Sequence, residues 1–144
     1  KTLGYKLAVI SGGFHQITDV IKAHLGLDYC FSNRLEVVGG MLTGSVVGPV
    51  VDAQRKADLL ESIAQQEGLG LDQVIAVGDG ANDLPMLRLA GLGIAFNAKP
   101  RVQKEASTAI NQPSLISVLH LLGIHGAELQ ELQSQLPRKR PWKS

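Results

Sequence analysis

The stretch VIAVGDGANDLPML, residues Val74–Leu87, decides how the chain folds. Its apolar start, Val74–Val77, predicts a strand that is covered on both faces. A turn carrying Asp79, Asn82 and Asp83 follows, and a helix is predicted after it. Ligands of open α/β sheets bind at the carboxyl ends of the strands. Because the turn combines two acids, an amide and backbone N–H groups, it predicts a site for a hard cation and an anion together.

The rest of the chain alternates strand and helix patterns, which predicts a parallel α/β sheet with crossover helices. Lys6–Ile10 is a predicted strand, Ser11–Gly13 the turn after it, and His15–Leu25 a helix with apolar residues at helical spacing. Tyr29–Ser32 is predicted as a separate short strand. Gly39-Gly40, between two further strand-like runs, predicts an inserted β-hairpin.

A second helix is predicted over residues 52–67, with Asp52 as its N-cap. Strands are predicted over residues 92–96 and 108–110, and shorter helices over residues 101–106 and 114–122. Residues 1–125 are interpreted as one core domain. The polar and basic segment 126–144 is predicted to be a flexible tail.

Composition limits the possible functions of the 144 residues. A hydrophobic content of 44% and a charged content of 19% are typical of a soluble domain, and a cytoplasmic location is predicted. The formal net charge of +1 and the scarcity of aromatic residues give no reason to expect a nucleic-acid partner. Cys30 is the single cysteine, which excludes an internal disulfide. No apolar run reaches membrane-spanning length, so no membrane partner is expected.

Three segments are candidates for chemistry, each with a structural alternative. The hydroxyl of Ser11 and the N–H groups after it suit a phosphate or carboxylate, but Ser11 could equally cap a helix. Lys56 is unfavourably placed in the first turn of a helix, which hints at a phosphate, although on local grounds a solvated surface lysine is favoured. At Asp79–Asp83 function is favoured, because two acids and an amide exceed what capping needs. Gly78 and Gly80 are interpreted as allowing unusual backbone angles and close ligand approach.

Other motifs do not fit. The segment that starts at Gly78 has Asp83 where the dinucleotide fingerprint needs glycine or alanine, and no phosphate-loop GK[ST] is present. A serine hydrolase that uses Ser11 is the weakest enzyme alternative, because the glycine two places before the nucleophile is missing.

Taken in order, VISGG at Val9–Gly13, VDAQRK at Val51–Lys56 and VGDGAND at Val77–Asp83 resemble the haloacid dehalogenase superfamily, with phosphoserine phosphatases as the most similar members. The resemblance covers residues 1 to about 123. It implies a three-layer Rossmann-like core with a parallel sheet and an inserted β-hairpin. The implied activity is Mg²⁺-dependent hydrolysis of phosphoserine through an aspartyl-phosphate, the last step of L-serine biosynthesis.

The resemblance also implies roles for individual residues. Lys56 and Asp83 are implied to be catalytic, and Asp79 is implied to bind Mg²⁺ with Asp83 in support. Phosphate binding is implied for four residues: Ser11, Gly12, Lys56 and Asn82. These roles agree with the needs of phosphoryl transfer, which depends on positioning and on neutralising charge at several oxygens.

One feature of the family is not matched. Its nucleophile motif, Asp-x-Asp-x-Thr/Val, lies on a central strand upstream of the serine motif, where this sequence has only Lys1–Ile10. We therefore expect a truncated core that lacks its first, central strand and is inactive alone. The gap is expected between the predicted strands Lys6–Ile10 and Val74–Val77. We expect it to be filled by a strand from an N-terminal segment or from a second copy of the chain. Two alternatives of other classes are a non-catalytic phosphometabolite-binding module and a strand-exchange assembly protein.

Overall fold

The strands form two three-stranded sheets in the computed structural model, which describes residues 1–136. The first sheet has the order β1 (Ala8–Phe14), β2 (Tyr29–Val38) and β3 (Met41–Val47), with β1 and β2 parallel and β2 and β3 antiparallel. The second sheet is entirely parallel and has the order β4 (Ile75–Gly78), β5 (Leu92–Phe96) and β6 (Thr108–Ile110). The α/β fold with a parallel sheet and an inserted hairpin is thereby confirmed.

Among the described strands, β1 and β4 each pair on one side only, β1 with β2 and β4 with β5. The break in pairing falls where the sequence predicts the gap. The two strands nevertheless share one core, since Ile10 of β1 packs against a buried cluster that includes Ala76 of β4.

Four helices lie between or beside these strands in the sequence: α1 (His15–Leu25), α2 (Ala53–Gln66), α3 (Leu84–Leu89) and α4 (Pro100–Glu105). Short 3-10 turns occupy Leu71–Gln73 and Ala81–Asp83. The predicted cap of α2 is confirmed, because the carboxylate of Asp52 accepts a hydrogen bond from the backbone N–H of Arg55 at 2.8 Å.

A core between α2, α3 and the second sheet positions the turn after β4. Leu60 of α2, Leu87 of α3 and Ala95 of β5 are buried in one cluster. Helix α3 lies so close to β5 that a Cβ added at Gly93 would come within 2.1 Å of the carbonyl oxygen of Leu87. This close contact holds the start of α3, and with it the preceding turn, against the sheet.

The predicted turn at Ser11–Gly13 is wrong, because β1 continues through these residues to Phe14. The parallel pairing with β2 is interrupted after Ile10 and resumes where Phe14 lies opposite Asn33. Helix α1 therefore begins at His15 with Phe14 as its N-cap, so Ser11 does not cap it. Pairing with β2 on both sides of the interruption, at Ile10 and at Phe14, outweighs the local turn preference of the glycines.

The hairpin prediction is confirmed, whereas the separate short strand over Tyr29–Ser32 is wrong. Both residues of the connection are left-handed, with φ of 58° at Gly39 and 80° at Gly40, as glycines in a two-residue hairpin allow. The segment Tyr29–Ser32 is the first part of β2, which pairs with β1 at its start and with β3 at its end.

Helix α1 and strand β4 each contain an apolar residue that is more exposed than the sequence pattern suggests. In α1, Ile17 is 67% exposed, while Thr18 is buried with its hydroxyl 2.6 Å from that of Ser32. In β4, Val77 is 37% exposed, so the predicted coverage of both strand faces is wrong at this residue. The exposure of Val77 agrees with the position of β4 at a sheet edge.

Asp28 ties the start of the chain to the loop before β2. Its carboxylate accepts hydrogen bonds from the ammonium of Lys1 and, at 2.8 Å, from the backbone N–H of Leu7. Both contacts lower the pKa of Asp28 below its ordinary value, and the contact with Lys1 has the larger effect on the pKa.

Contacts divide the described residues into a first unit, Lys1 with Leu3–Asn111, and a second, Thr2 with the residues from Gln112 onward. Up to Leu136, the second unit contains two helices, α5 (Ile116–Leu121) and α6 (Gly126–Ser134). The domain boundary after residue 125 and the flexibility of the tail remain predictions. The segment predicted as the tail begins with α6, and its residues 137–144 lie outside the described residues. Within residues 1–136, no helix has the length and apolar character that crossing a bilayer requires.

Candidate active site

A buried ion pair anchors the turn after β4. The Nζ atom of Lys56 lies 2.6 Å from Oδ1 of Asp83, and the two side chains are only 8% and 7% exposed. The second carboxylate oxygen, Oδ2, accepts hydrogen bonds from the backbone N–H groups of Asp79 and Gly80, both at 3.1 Å. Each oxygen of the buried carboxylate thus has a partner, which a buried charge requires.

Lys56 reaches Asp83 from the first turn of α2. The surface-lysine alternative is wrong, because the whole residue is 7% exposed and its partner lies 27 positions further along the chain. Two sequence signals point to this contact: the unfavourable placement of a lysine near a helix N-terminus, and the motif resemblance, which implies catalytic roles for both Lys56 and Asp83. An ammonium has three N–H donors, so two remain after the contact with Asp83.

Glycine at position 78 makes room for the carboxyl group of Asp83. A Cβ added to Gly78 would lie 2.5 Å from Cβ and 2.7 Å from Cγ of Asp83. Gly78 and Gly80 are not among the residues with positive φ, so the interpretation that they supply unusual backbone angles is wrong. Asp83 also makes no side-chain cap to α3, because its carboxylate turns back toward the preceding N–H groups.

The predicted phosphate-binding segment on β1 is held by a small hydrogen-bond network. The hydroxyl oxygen of Ser11 accepts from the backbone N–H of Gly13 at 3.0 Å. The carbonyl of Gly12 accepts from Nδ2 of Asn33 at 2.8 Å, and Oδ1 of the same amide accepts from the N–H of Val51, also at 2.8 Å. The segment is therefore tied to the residue that lies two positions before α2.

Direct contacts connect the three predicted motifs. Asn33 joins Ser11–Gly13 to Val51, α2 runs from there to Lys56, and Lys56 joins Asp83. Asp79 and Asn82 lie in the same turn as Asp83, and both are exposed. Sequence reasoning missed Asn33, which lies between two predicted strands and carries no local sign of its two partners.

The described residues include no group of three or more histidine, cysteine or acidic side chains able to hold a metal. Asp79 is nevertheless an exposed carboxylate at the end of β4, while both oxygens of Asp83 are already hydrogen-bonded. Proteins usually bind Mg²⁺ through one or two carboxylates together with water and phosphate oxygens. Asp79 fits a site of that kind as one of its ligands.

Comparisons with known proteins give consistent results. The family model of haloacid dehalogenase-like hydrolases matches residues 1–88. The phosphoserine phosphatase of Streptomyces coelicolor is 54% identical over 130 residues, which cover 90% of this chain and 32% of that protein.

Solved structures agree in fold and in sequence. A probable phosphoserine phosphatase from Vibrio cholerae superposes with a TM-score of 0.81 at 47% identity, covering 96% of this chain and 42% of that one. A substrate-bound phosphoserine phosphatase complex gives a TM-score of 0.79 at 48% identity, covering 83% of this chain and 57% of that one.

This chain thus spans between about a third and somewhat over half of the length of these relatives. Phosphatases of the matched family generally use a divalent metal. A family match over more than half of the chain and high identity over most of it lead to one conclusion: the chain belongs to the haloacid dehalogenase-like hydrolases, among relatives that are phosphoserine phosphatases.

Proposed function

We propose that this chain supplies the phosphate- and Mg²⁺-binding part of a phosphoserine phosphatase. The observation that carries the proposal is the buried pair of Lys56 and Asp83, linked on one side to the turn with Asp79 and on the other, through α2, to Ser11–Gly13. Lys56 keeps N–H donors beyond the one that Asp83 accepts, and charge-assisted donors of this kind suit a phosphate dianion.

Each proposed residue has a chemical task in phosphomonoester hydrolysis. The hydroxyl of Ser11 and the N–H of Gly12 donate to phosphate oxygens, and Asn82 lies beside the phosphate. Lys56 neutralises phosphate charge with its remaining N–H donors, while Asp83 fixes the direction of its ammonium group. Such fixed donors act mainly by positioning and by charge stabilisation, which dominate phosphoryl transfer.

The metal site is proposed at Asp79. When bound there, Mg²⁺ supplies further charge neutralisation at the phosphate oxygens. The carboxylate of Asp79 holds the ion directly, and Asp83 supports the site through its hydrogen bonds to the N–H groups of Asp79 and Gly80.

We further propose that an additional strand completes the sheet between β1 and β4. The unpaired sides of these two strands support it, together with the core that the strands share through Ile10 and Ala76. The strand would come from an N-terminal part of the same protein or from a second copy, and would carry the aspartate nucleophile. The length of the relatives, which exceeds that of this chain, favours the first source.

Phosphate release from phosphoserine tests the proposed function. We expect the protein expressed from its complete coding sequence to release phosphate when Mg²⁺ is present. Phosphate release should stop when EDTA is added and resume when Mg²⁺ is restored. Residues 1–144 alone are expected to release none under the same conditions. Turnover by residues 1–144 alone would contradict the missing nucleophile, and no turnover by the complete protein would contradict the phosphatase proposal itself.

A further inference from the structure

We propose that Asn33 is a positioning residue that sets the direction of the Ser11 hydroxyl and its place relative to Lys56. The inference rests on the proposed function, because it concerns the same phosphate site. The side chain of Asn33 contacts backbone groups: the carbonyl of Gly12, whose N–H is a proposed phosphate donor, and the N–H of Val51.

The amide of Asn33 uses both of its ends, each on a different segment. The residue is 6% exposed, its Nδ2 donates to the carbonyl of Gly12, and its Oδ1 accepts from the N–H of Val51, both at 2.8 Å. The partners are 21 and 18 positions away in sequence, so the amide cross-links two parts of the chain that local structure does not connect.

The first contact acts on Ser11 through a rigid peptide group. The carbonyl of Gly12 and the N–H of Gly13 belong to the same planar peptide unit, so holding the carbonyl also fixes the N–H. That N–H donates to the hydroxyl oxygen of Ser11 at 3.0 Å. Because the oxygen is occupied as an acceptor, the hydroxyl proton is left to point toward a phosphate oxygen.

The second contact acts on Lys56 through α2. Val51 lies just before Asp52, whose carboxylate caps the helix by accepting from the N–H of Arg55. Holding the N–H of Val51 therefore fixes where α2 starts, and Lys56 lies in its first turn. Asparagine combines a donor and an acceptor in one rigid amide, whereas an ionised aspartate can only accept.

Three variants of the protein expressed from its complete coding sequence test this role. Asn33→Ala removes both contacts, and Asn33→Asp keeps the acceptor for Val51 but loses the donor to Gly12. Thr18→Val is the matched control: it removes a part-buried side-chain hydrogen bond to Ser32 and leaves the partners of Asn33 at Gly12 and Val51 unchanged. All three are expected to lower the thermal midpoint of unfolding.

Activity is expected to separate the variants. Both Asn33 variants should lower kcat/KM for phosphoserine by up to about 100-fold, since a small displacement of a positioning group has effects of that size. They should also weaken inhibition by inorganic phosphate, while Thr18→Val changes both quantities by no more than about twofold. Amide hydrogen exchange at Val51 should become faster in Asn33→Ala but stay slow in Asn33→Asp.

Kinetic constants of Asn33→Ala equal to those of Thr18→Val would overturn the positioning role. Unchanged exchange at Val51 and Gly13 in Asn33→Ala would overturn it as well, and this result does not depend on catalysis. If the wild-type protein releases no phosphate, the proposed function fails, and the exchange rates still decide whether Asn33 couples the two segments.

Discussion

Replacing Lys56 by methionine is expected to lower phosphoserine turnover by about 1,000-fold, the upper end of what loss of one preorganised donor costs. The same change should lower the free energy of unfolding by about 3–5 kcal/mol, because it leaves the buried carboxylate of Asp83 without its partner. Methionine keeps the length and apolar contacts of the lysine side chain, so the loss reports on the charge. Phosphate release and denaturant unfolding measure the two effects.

A second substitution separates stability from activity at this pair. In Lys56→Met with Asp83→Asn, the uncompensated charge is gone, and the amide oxygen can still accept from the N–H groups of Asp79 and Gly80. We expect most of the lost stability to return, but not the activity. Lys104→Met, at an exposed lysine of α4, is the matched control and should change neither. A stable and active Lys56→Met variant would contradict the proposed role of the pair.

Replacing Gly78 by alanine is expected to displace Asp83 and, with it, Lys56. The added methyl group would lie 2.5 Å from Cβ of Asp83, closer than side-chain atoms pack, so the turn must shift. We expect a loss of stability of about 1–3 kcal/mol, as for other overpacked sites. The shift should also lower kcat/KM by about 100-fold.

Gly91→Ala is the matched control for Gly78→Ala. Its added methyl group would come within 2.3 Å of the carbonyl oxygen of Asp72, a residue of the 3-10 turn before β4, and this contact involves neither Lys56 nor Asp83. We expect this variant to lose stability, while the molecules that remain folded keep their kcat/KM. If Gly78→Ala remains as active per folded molecule as Gly91→Ala, the packing of Asp83 against Gly78 is not needed for the site.

The predictions that the structure confirms depend on neighbouring residues. Alternating strand and helix patterns, the paired glycines at Gly39-Gly40 and the cap at Asp52 each express a local preference, and each is present. The turn predicted at Ser11–Gly13 is wrong because β1 continues through these residues to Phe14, which pairs with Asn33 of β2, a residue distant in sequence.

The candidate site depends still more on distant contacts. Lys56 has the local features of a surface residue, yet its partner is 27 positions away. Gly78 looks like a glycine that permits an unusual turn, but its role is to leave space for a side chain five residues later. The resemblance in motif order identified the family, whereas the amide of Asn33 that links the motifs could be found only from the folded chain.

A crystal structure of the protein expressed from its complete coding sequence, grown with inorganic phosphate and Mn²⁺ in place of Mg²⁺, would show whether Ser11, Lys56 and Asp79 form one phosphate and metal site. We expect phosphate within hydrogen-bond distance of both the Ser11 hydroxyl and the Lys56 ammonium, and an anomalous Mn²⁺ peak at the carboxylate of Asp79. Phosphate bound away from these residues, or Mn²⁺ bound without Asp79, would contradict the proposed site.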